Sequence, residues 1–220
     1  MRIKALLFAS AALLIAGCNV SVNNGAEAET ENQAAPAEQQ SQPQPSPSQQ
    51  QMRDGARQQF QNLRFVVDIS DKKLRLFNGD QPLREHDVAV GTTEWPTPTG
   101  SWKIHRVDIN PEWVPPKDEE WAKDETKKAA GDPENPLGRA RLVYRLPNTI
   151  HGTDETDSLG KRASHGSIRV SNPVVLQLSE MLLRAGGAWD GPQWFQQMTQ
   201  NRTREFQIDL PNAIPIEVKE

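Results

Sequence analysis

The amino-acid sequence predicts a mainly β domain with flanking helices, of the α+β class, over residues 63–220. Apolar and polar residues alternate over residues 65–69 and again over residues 73–77, on either side of a polar turn, which is typical of a β-hairpin. Apolar residues recur at helical spacing between Val174 and Ala185 and stop before two glycines. The segment is long enough to bury the core of one domain.

The first 18 residues have the pattern of a targeting segment. Arg2 and Lys4 precede an apolar run over residues 5–15 that is too short to span a bilayer comfortably. The run leads into Ile-Ala-Gly-Cys, which is similar to a bacterial lipobox, so we expect Cys18 to be lipidated. Cys18 is the one cysteine in the sequence, so no intramolecular disulfide can form. The alternative is an ordinary signal peptide with an incidental cysteine.

The residue after this cysteine indicates which membrane would hold a lipid-anchored protein. Asn19 stands where an aspartate would indicate retention in the inner membrane. We therefore expect a periplasmic protein that is anchored by lipid to the outer membrane of a Gram-negative bacterium.

Residues 19–62 are rich in Gln, Pro, Ser, Ala and Glu and poor in large apolar side chains. Such a composition cannot offset the entropy lost when the backbone is ordered. We predict a disordered tether over residues 19–62, with a short helix over residues 52–61.

The strand pattern continues through the domain and ends at its last residues. Further strands are expected over residues 84–90, 103–107 and 140–146, and two closing strands over residues 206–210 and 214–218, separated by a Pro-Asn turn.

Helices are expected between these strands. Residues 192–199 are expected to form a short second helix after the one that ends at Ala185, and Trp189 and Trp194 are expected to pack both helices on the sheet. Residues 117–130 are charged, with spacings that allow i,i+4 ion pairs, and predict a solvated helix or lid beside a cleft; an exposed insertion without a gating role is the alternative.

Residues 151–170 contain two of the four histidines, in the order H-G-T-D-E-T-D-S-L-G-K-R-A-S-H-G-S-I-R-V. An acyl-transfer enzyme requires a nucleophile, a base, a group that orients the base, and donors that face the developing oxyanion. This stretch contains residue types that can supply all four.

The two ends of this stretch resemble the signature of the L,D-transpeptidase (YkuD-type) catalytic domain, in which H-G-T is followed by S-H-G-C-[IV]-R. The spacing from His151 to Ser167 is that of the family, but Ser167 occupies the position of the nucleophilic cysteine. Three other segments are similar to family elements: W-P-T-P-T-G at residues 95–100, N-P-E-W-V-P-P at 110–116 and N-P-L-G at 135–138. The resemblance implies a YkuD-like β-sandwich catalytic domain over residues 63–220.

The resemblance also assigns roles to the residues of the motif. His151 is the base and proton carrier, Ser167 is at the nucleophile position, and the Gly152 carbonyl orients the base. Asp154 or Asp157 could take over that orienting role, which serine catalysis commonly gives to a carboxylate.

The closing half of the motif is expected to hold the ligand. The backbone amides near Gly166 and Ser167, with the His165 side chain, are expected to face the oxyanion, and Arg169 to bind a carboxylate. Trp95 and Trp113 are expected to form core or wall rather than direct substrate contacts.

Three functions are compatible with the motif. The first is acyl transfer on peptidoglycan tetrapeptide stems through an acyl-enzyme, for cell-wall cross-linking or protein anchoring. The second is a catalytically weak lipoprotein that binds such stems, and the third is a peptidoglycan hydrolase on the same fold. None requires a metal or an organic cofactor.

Composition argues against other classes. The sequence contains neither H-E-x-x-H nor a Cys/His cluster, so a zinc site is not expected. The formal net charge is −4, and removing the two positive charges of the signal leaves about −6, which argues against a nucleic-acid surface.

Overall fold

Ten strands form the framework of the computed structural model, which describes residues 45–220. Their bounds are β1 Leu63–Asp68, β2 Lys73–Asn78, β3 Gln81–Asp87, β4 Val90–Gly91, β5 Gly100–Ile109, β6 Ala140–Val143, β7 Thr149–Thr153, β8 Arg162–Ser164, β9 Ile168–Ser171 and β10 Phe206–Lys219. Eight of them are hydrogen-bonded in the order β3-β2-β1-β10-β5-β6-β7-β9, and β4 pairs separately with β8. The predicted hairpin is confirmed as β1 and β2.

Within residues 45–220, three α-helices accompany the strands: α1 Pro47–Gln58, α2 Asn172–Ala185 and α3 Pro192–Gln200. The mainly β fold with flanking helices is therefore confirmed. Helix α2 contacts β5, β6, β7, β9 and β10, and its apolar side chains Val175, Leu178 and Leu182 are fully buried. Trp189 lies in the same core and meets the Trp194 ring edge-on at 6.3 Å. Within residues 45–220, no helix has the length and hydropathy needed to cross a membrane.

Helix α1 lies in the segment predicted to be a disordered tether with a short helix over residues 52–61, and the structure shows helix rather than tether over residues 47–51 as well. Ser46 and Gln49 form a capping box at its start, with Pro47 in the first turn, which satisfies backbone donors that a helix end leaves open. Ala56 is buried in the core, and Arg53 lies 3.5 Å from Asp190. The helix predicted over residues 52–61 thus begins earlier. Cys18 and the expected signal peptide lie outside the described residues.

The closing strands were predicted as two but form the single strand β10. Its pairing with β5 has a register irregularity between Asp209 and Ile214, which contains Pro211. Proline has no N–H to donate to the ladder, and the Asn212 N–H donates to the Gly186 carbonyl instead. The chain therefore bends at this position without leaving the sheet. The strand predicted over residues 84–90 is instead divided between β3 and β4. The strand predicted over residues 140–146 ends earlier, at Val143, as β6.

The helix predicted over residues 117–130 is not formed. This segment belongs to a connection over residues 110–138, here called the cleft loop, in which Glu120–Ala122 forms a single 3₁₀ turn. The backbone groups of Trp113 and Lys128 bond to each other in both directions at 2.9 Å. These bonds hold the segment as a loop, because backbone groups paired across it are unavailable to a helix.

Candidate active site

A cleft of about 1050 Å³ lies between the strands and the cleft loop. It is lined by both motif histidines, His151 and His165, and by Ser167 and Arg169. Parallel pairing of β7 with β9 sets Arg169 opposite His151 in the register. The sheet therefore brings together the two halves of the sequence motif.

His151 is held inside β7 and is 5% exposed. Its Nδ1 lies 2.9 Å from the Gly152 carbonyl oxygen. Because a carbonyl can only accept, Nδ1 carries the proton and Nε2 of the neutral ring is free to take one. A side chain at position 152 would clash with Asn172 Oδ1, so the close packing here requires glycine.

The surroundings of His151 keep it neutral. Burial, together with the positive charges of Arg169 and Arg141, lowers its pKa to about 4, although the carbonyls of Gly152 and Pro136 favour the protonated ring. At neutral pH the imidazole is thus a proton acceptor.

Neither aspartate suggested as an alternative orienter bonds to this histidine. Asp154 Oδ1 accepts a hydrogen bond from Asn172 Nδ2 at 2.8 Å. Asp157 lies in the exposed 3₁₀ turn Thr156–Ser158. The partners of the His151 ring are backbone carbonyls, that of Gly152 at Nδ1 and, for the protonated ring, that of Pro136. The base is therefore oriented by a backbone carbonyl rather than by a carboxylate.

Ser167 follows a tight turn at the start of β9. Its Oγ accepts a hydrogen bond from the Thr149 N–H at 3.2 Å. Within the described part of the chain, no hydrogen bond joins this Oγ to the His151 ring. Gly166 before it has φ +95°, a conformation that L side chains rarely adopt. The oxyanion role predicted for the amides near Gly166 remains a prediction.

His165 lies between two tryptophan rings. Trp121 of the cleft loop stacks on it in parallel, with centroids 4.0 Å apart, and Trp95 meets it edge-on at 4.5 Å. Burial and the charge of Arg169 lower the pKa of His165, whereas Glu119 and Glu94 act in the opposite direction. Trp95 and Trp113 line the cleft, as expected for wall residues. Trp121 was not singled out from the sequence, since its contact is with a residue far along the chain.

Two arginines of the cleft are neutralised by carboxylates. Arg169 Nη1 lies 2.8 Å from Glu155 Oε2. Arg141, opposite His151 on β6, lies 2.6 Å from Asp108, whose carboxylate is fully buried. The carboxylate-binding role predicted for Arg169 remains a prediction, because an internal carboxylate already occupies part of its fork. Within residues 45–220, no three His, Cys, Asp or Glu side chains are grouped as metal ligands would be.

Most of the folded part of the chain is similar to known proteins. The family model of YkuD, the L,D-transpeptidase catalytic domain, matches residues 62–199, which is more than half of the chain. The chain belongs to the L,D-transpeptidase family. This match includes both halves of the histidine motif and the cleft loop between β5 and β6.

Individual members of this family are distant. The putative L,D-transpeptidase YkuD of Bacillus licheniformis is 28% identical over 120 residues, covering 54% of this chain and 59% of that protein. The probable L,D-transpeptidase YbiS of Escherichia coli is 25% identical over 177 residues, covering 68% of this chain and 56% of that protein. The chain therefore spans a little over half the length of these relatives.

Solved structures of L,D-transpeptidases also have low sequence identity to this chain and are covered only in part. L,D-transpeptidase 3 from Mycobacterium tuberculosis is 14% identical, with a TM-score of 0.44 over 72% of this chain and 60% of that one. At position 167, where the resemblance places the family's cysteine, this chain has serine.

Proposed function

We propose that this protein is an acyl transferase that acts on peptidoglycan tetrapeptide stems through an acyl-enzyme on Ser167. The observation that carries the proposal is the state of His151. It is neutral, has its Nδ1 proton directed to the Gly152 carbonyl, and lines the same cleft as Ser167. A base that is neutral at the working pH can take the proton of an attacking hydroxyl.

In the proposed reaction, Ser167 Oγ attacks the carbonyl carbon that joins diaminopimelate to the terminal D-Ala, and its proton passes to His151 Nε2. The C–N bond breaks, and D-Ala leaves with that proton as a free amine. An amine of a second stem or of a protein then attacks the ester, returns the proton through His151 to Ser167, and receives the acyl group. Water in place of the amine gives hydrolysis instead.

A second candidate is a lipoprotein that binds stems without turning them over. Ser167 Oγ bonds to the Thr149 N–H and not to His151 within the described chain, and the base is oriented by a carbonyl. A serine must lose its proton during attack, so it depends on its base more than a thiolate does. These two observations favour slow acylation.

The full chain in detergent, incubated with a disaccharide tetrapeptide and followed by intact-mass spectrometry, tests the proposal. We expect a covalent adduct in which the stem has lost D-Ala, and none with Ser167→Ala. Ser167→Cys serves as the control for the scaffold. If only the cysteine variant is acylated, the transferase proposal is wrong and the binding function is supported.

We also propose that Cys18 carries a lipid and anchors the protein on the periplasmic side of the outer membrane. The lipobox-like sequence Ile-Ala-Gly-Cys supports this proposal. Metabolic labelling with a fatty acid should label the wild-type protein and not Cys18→Ala. Labelling that persists in the variant would contradict it.

A further inference from the structure

Three arginines line the cleft, and they differ in what neutralises them. Arg141 is paired with the buried Asp108, and Arg169 with Glu155. Arg145 donates from Nη1 to Asn148 Oδ1 at 2.7 Å, and this partner is a neutral amide. Among residues 45–220, no carboxylate lies within ion-pair distance of Arg145.

Among the three cleft arginines, Arg145 is therefore the one without a carboxylate at ion-pair distance within residues 45–220. Its guanidinium carbon lies 5.9 Å from the centroid of the Trp102 ring, close to the limit of a cation-π contact. The side chain is exposed, and one edge of its fork is held by Asn148. A planar guanidinium with free donors suits a carboxylate, which it binds by two parallel hydrogen bonds.

The turn that carries Arg145 is joined to the nucleophile position. A side chain at position 166 would approach Asn148 Nδ2 to 2.7 Å, which places this amide against the Gly166 backbone. The next residue, Thr149, donates its N–H to Ser167 Oγ. The turn at residues 145–148 and the residue after it therefore contact the segment that carries the reacting group.

Apolar side chains flank the same part of the cleft. Leu146 is 61% exposed and Val114 of the cleft loop is 62% exposed, and both line the cleft. Large apolar side chains exposed around a concave site are typical of ligand contacts. The cleft therefore combines an unpaired cation with apolar walls.

We propose that Arg145, rather than Arg169, binds a carboxylate of the peptide ligand in this cleft. This inference rests on the proposed function and specifies the chemistry of its substrate. The ligand is a peptide with a free carboxylate beside the bond that is attacked. Asn148 fixes one edge of the guanidinium, and Leu146 and Val114 contact the aliphatic part of the peptide.

Calorimetric titration of the full chain in detergent with two peptides tests this proposal. One is the tetrapeptide stem with all carboxylates free, and the other is the same stem amidated at the terminal D-Ala and at the diaminopimelate side chain. Every protein in these titrations carries Ser167→Ala so that no turnover occurs, and the protein with this substitution alone is the parent protein. We expect the free acid to bind about tenfold more tightly, since a charge-assisted bidentate pair adds roughly that preference.

Titration of arginine variants decides whether Arg145 or Arg169 binds the carboxylate of the peptide. Arg145→Gln should remove the preference for the free acid and leave binding of the amidated stem within about twofold, whereas Arg169→Gln should retain most of the preference. Arg162→Gln is the matched control, because Arg162 lies on β8 and is ion-paired with Glu220.

A preference that survives Arg145→Gln, or disappears only in Arg169→Gln, overturns the inference while leaving the proposed function in place. Equal binding of the two peptides by the parent protein also overturns the inference alone. If neither peptide binds the parent protein, the proposed function fails and this inference with it.

Discussion

The two histidines of the cleft are held by different parts of the molecule. His151 is inside strand β7, is 5% exposed, and is fixed by pairing with β6 and β9 and by its own bond to Gly152. His165 is in an exposed turn, and rings from two separate loops, Trp95 and Trp121, hold it. The part of the cleft around His151 is thus fixed by the sheet and is called the strand side below. The part around His165, Trp95 and Trp121 is fixed by aromatic contacts and is called the loop side.

This difference suggests that the two histidines have different functions. A residue fixed by a hydrogen-bonded sheet keeps its geometry through a reaction cycle, which suits a base that must stay aligned with the nucleophile. Loop residues held by stacking can adjust to a ligand. We therefore expect the strand side to determine the rate of the chemical step and the loop side to determine binding.

The burial of His151 gives the largest effect on stability. Its pKa is lowered from 6.5 to about 4 in the folded protein. Between these values the unfolded chain takes up a proton that the folded chain does not, so the free energy of unfolding falls as pH falls, by up to about 3 kcal/mol, with no contribution above pH 6.5.

Chemical denaturation at a series of pH values measures this contribution. Groups common to both proteins cancel in the difference between wild type and His151→Gln, which should show the loss between pH 6.5 and 4. A difference that does not change with pH would mean that the strand does not bury this ring.

A comparison of two glycines tests the junction between the two sides. Gly166 and Gly160 both have positive φ, at +95° and +77°, so alanine at either costs about 1–2 kcal/mol. Space is open around Gly160, but a methyl group at 166 would approach Asn148 Nδ2 to 2.7 Å.

We expect Gly166→Ala to be less stable than Gly160→Ala by about 1 kcal/mol, because it displaces Asn148 from its hydrogen bond with Arg145. Thermal or urea unfolding of the two variants measures the difference. Equal destabilisation would show that the turn at residues 145–148 does not press on Gly166.

Removal of the Trp121 ring should weaken ligand binding. Aromatic pairs contribute about 0.5–1.5 kcal/mol beyond their buried area. If the stack holds His165 in its binding position, Trp121→Ala should raise the dissociation constant of a tetrapeptide about twofold to tenfold. Trp121→Phe keeps a ring against His165 and should restore most of the affinity. Unchanged binding in Trp121→Ala would mean that this stack has no part in recognition.

The strand side of the site was predictable from the sequence. The spacing of H-G-T and S-H-G-S-I-R indicated that His151 and Ser167 share a site, and pairing of β7 with β9 accounts for it. The Gly152 carbonyl was expected beside the imidazole and lies there. Local motifs predict such contacts because the partners are adjacent in sequence or on neighbouring strands.

The loop side was not predictable in the same way. Residues 117–130 have charges at helical spacing, but the bonds between Trp113 and Lys128 hold the chain as a loop. The stack of Trp121 on His165 and the pair of Arg141 with Asp108 join residues far apart in the chain. Periodicity reports local structure and carries no signal for such contacts.

The most direct test of this division is the kinetics of acylation in the Ser167→Cys protein, measured as a function of carbapenem concentration by intact mass. We expect His151→Gln to lower the maximal rate on the order of 10²–10⁴-fold, as general-base loss does, with little change in the half-saturating concentration. Trp121→Ala should instead raise the half-saturating concentration and leave the maximal rate within a few-fold. A fall in maximal rate for Trp121→Ala as large as that for His151→Gln, at an unchanged half-saturating concentration, would contradict the account.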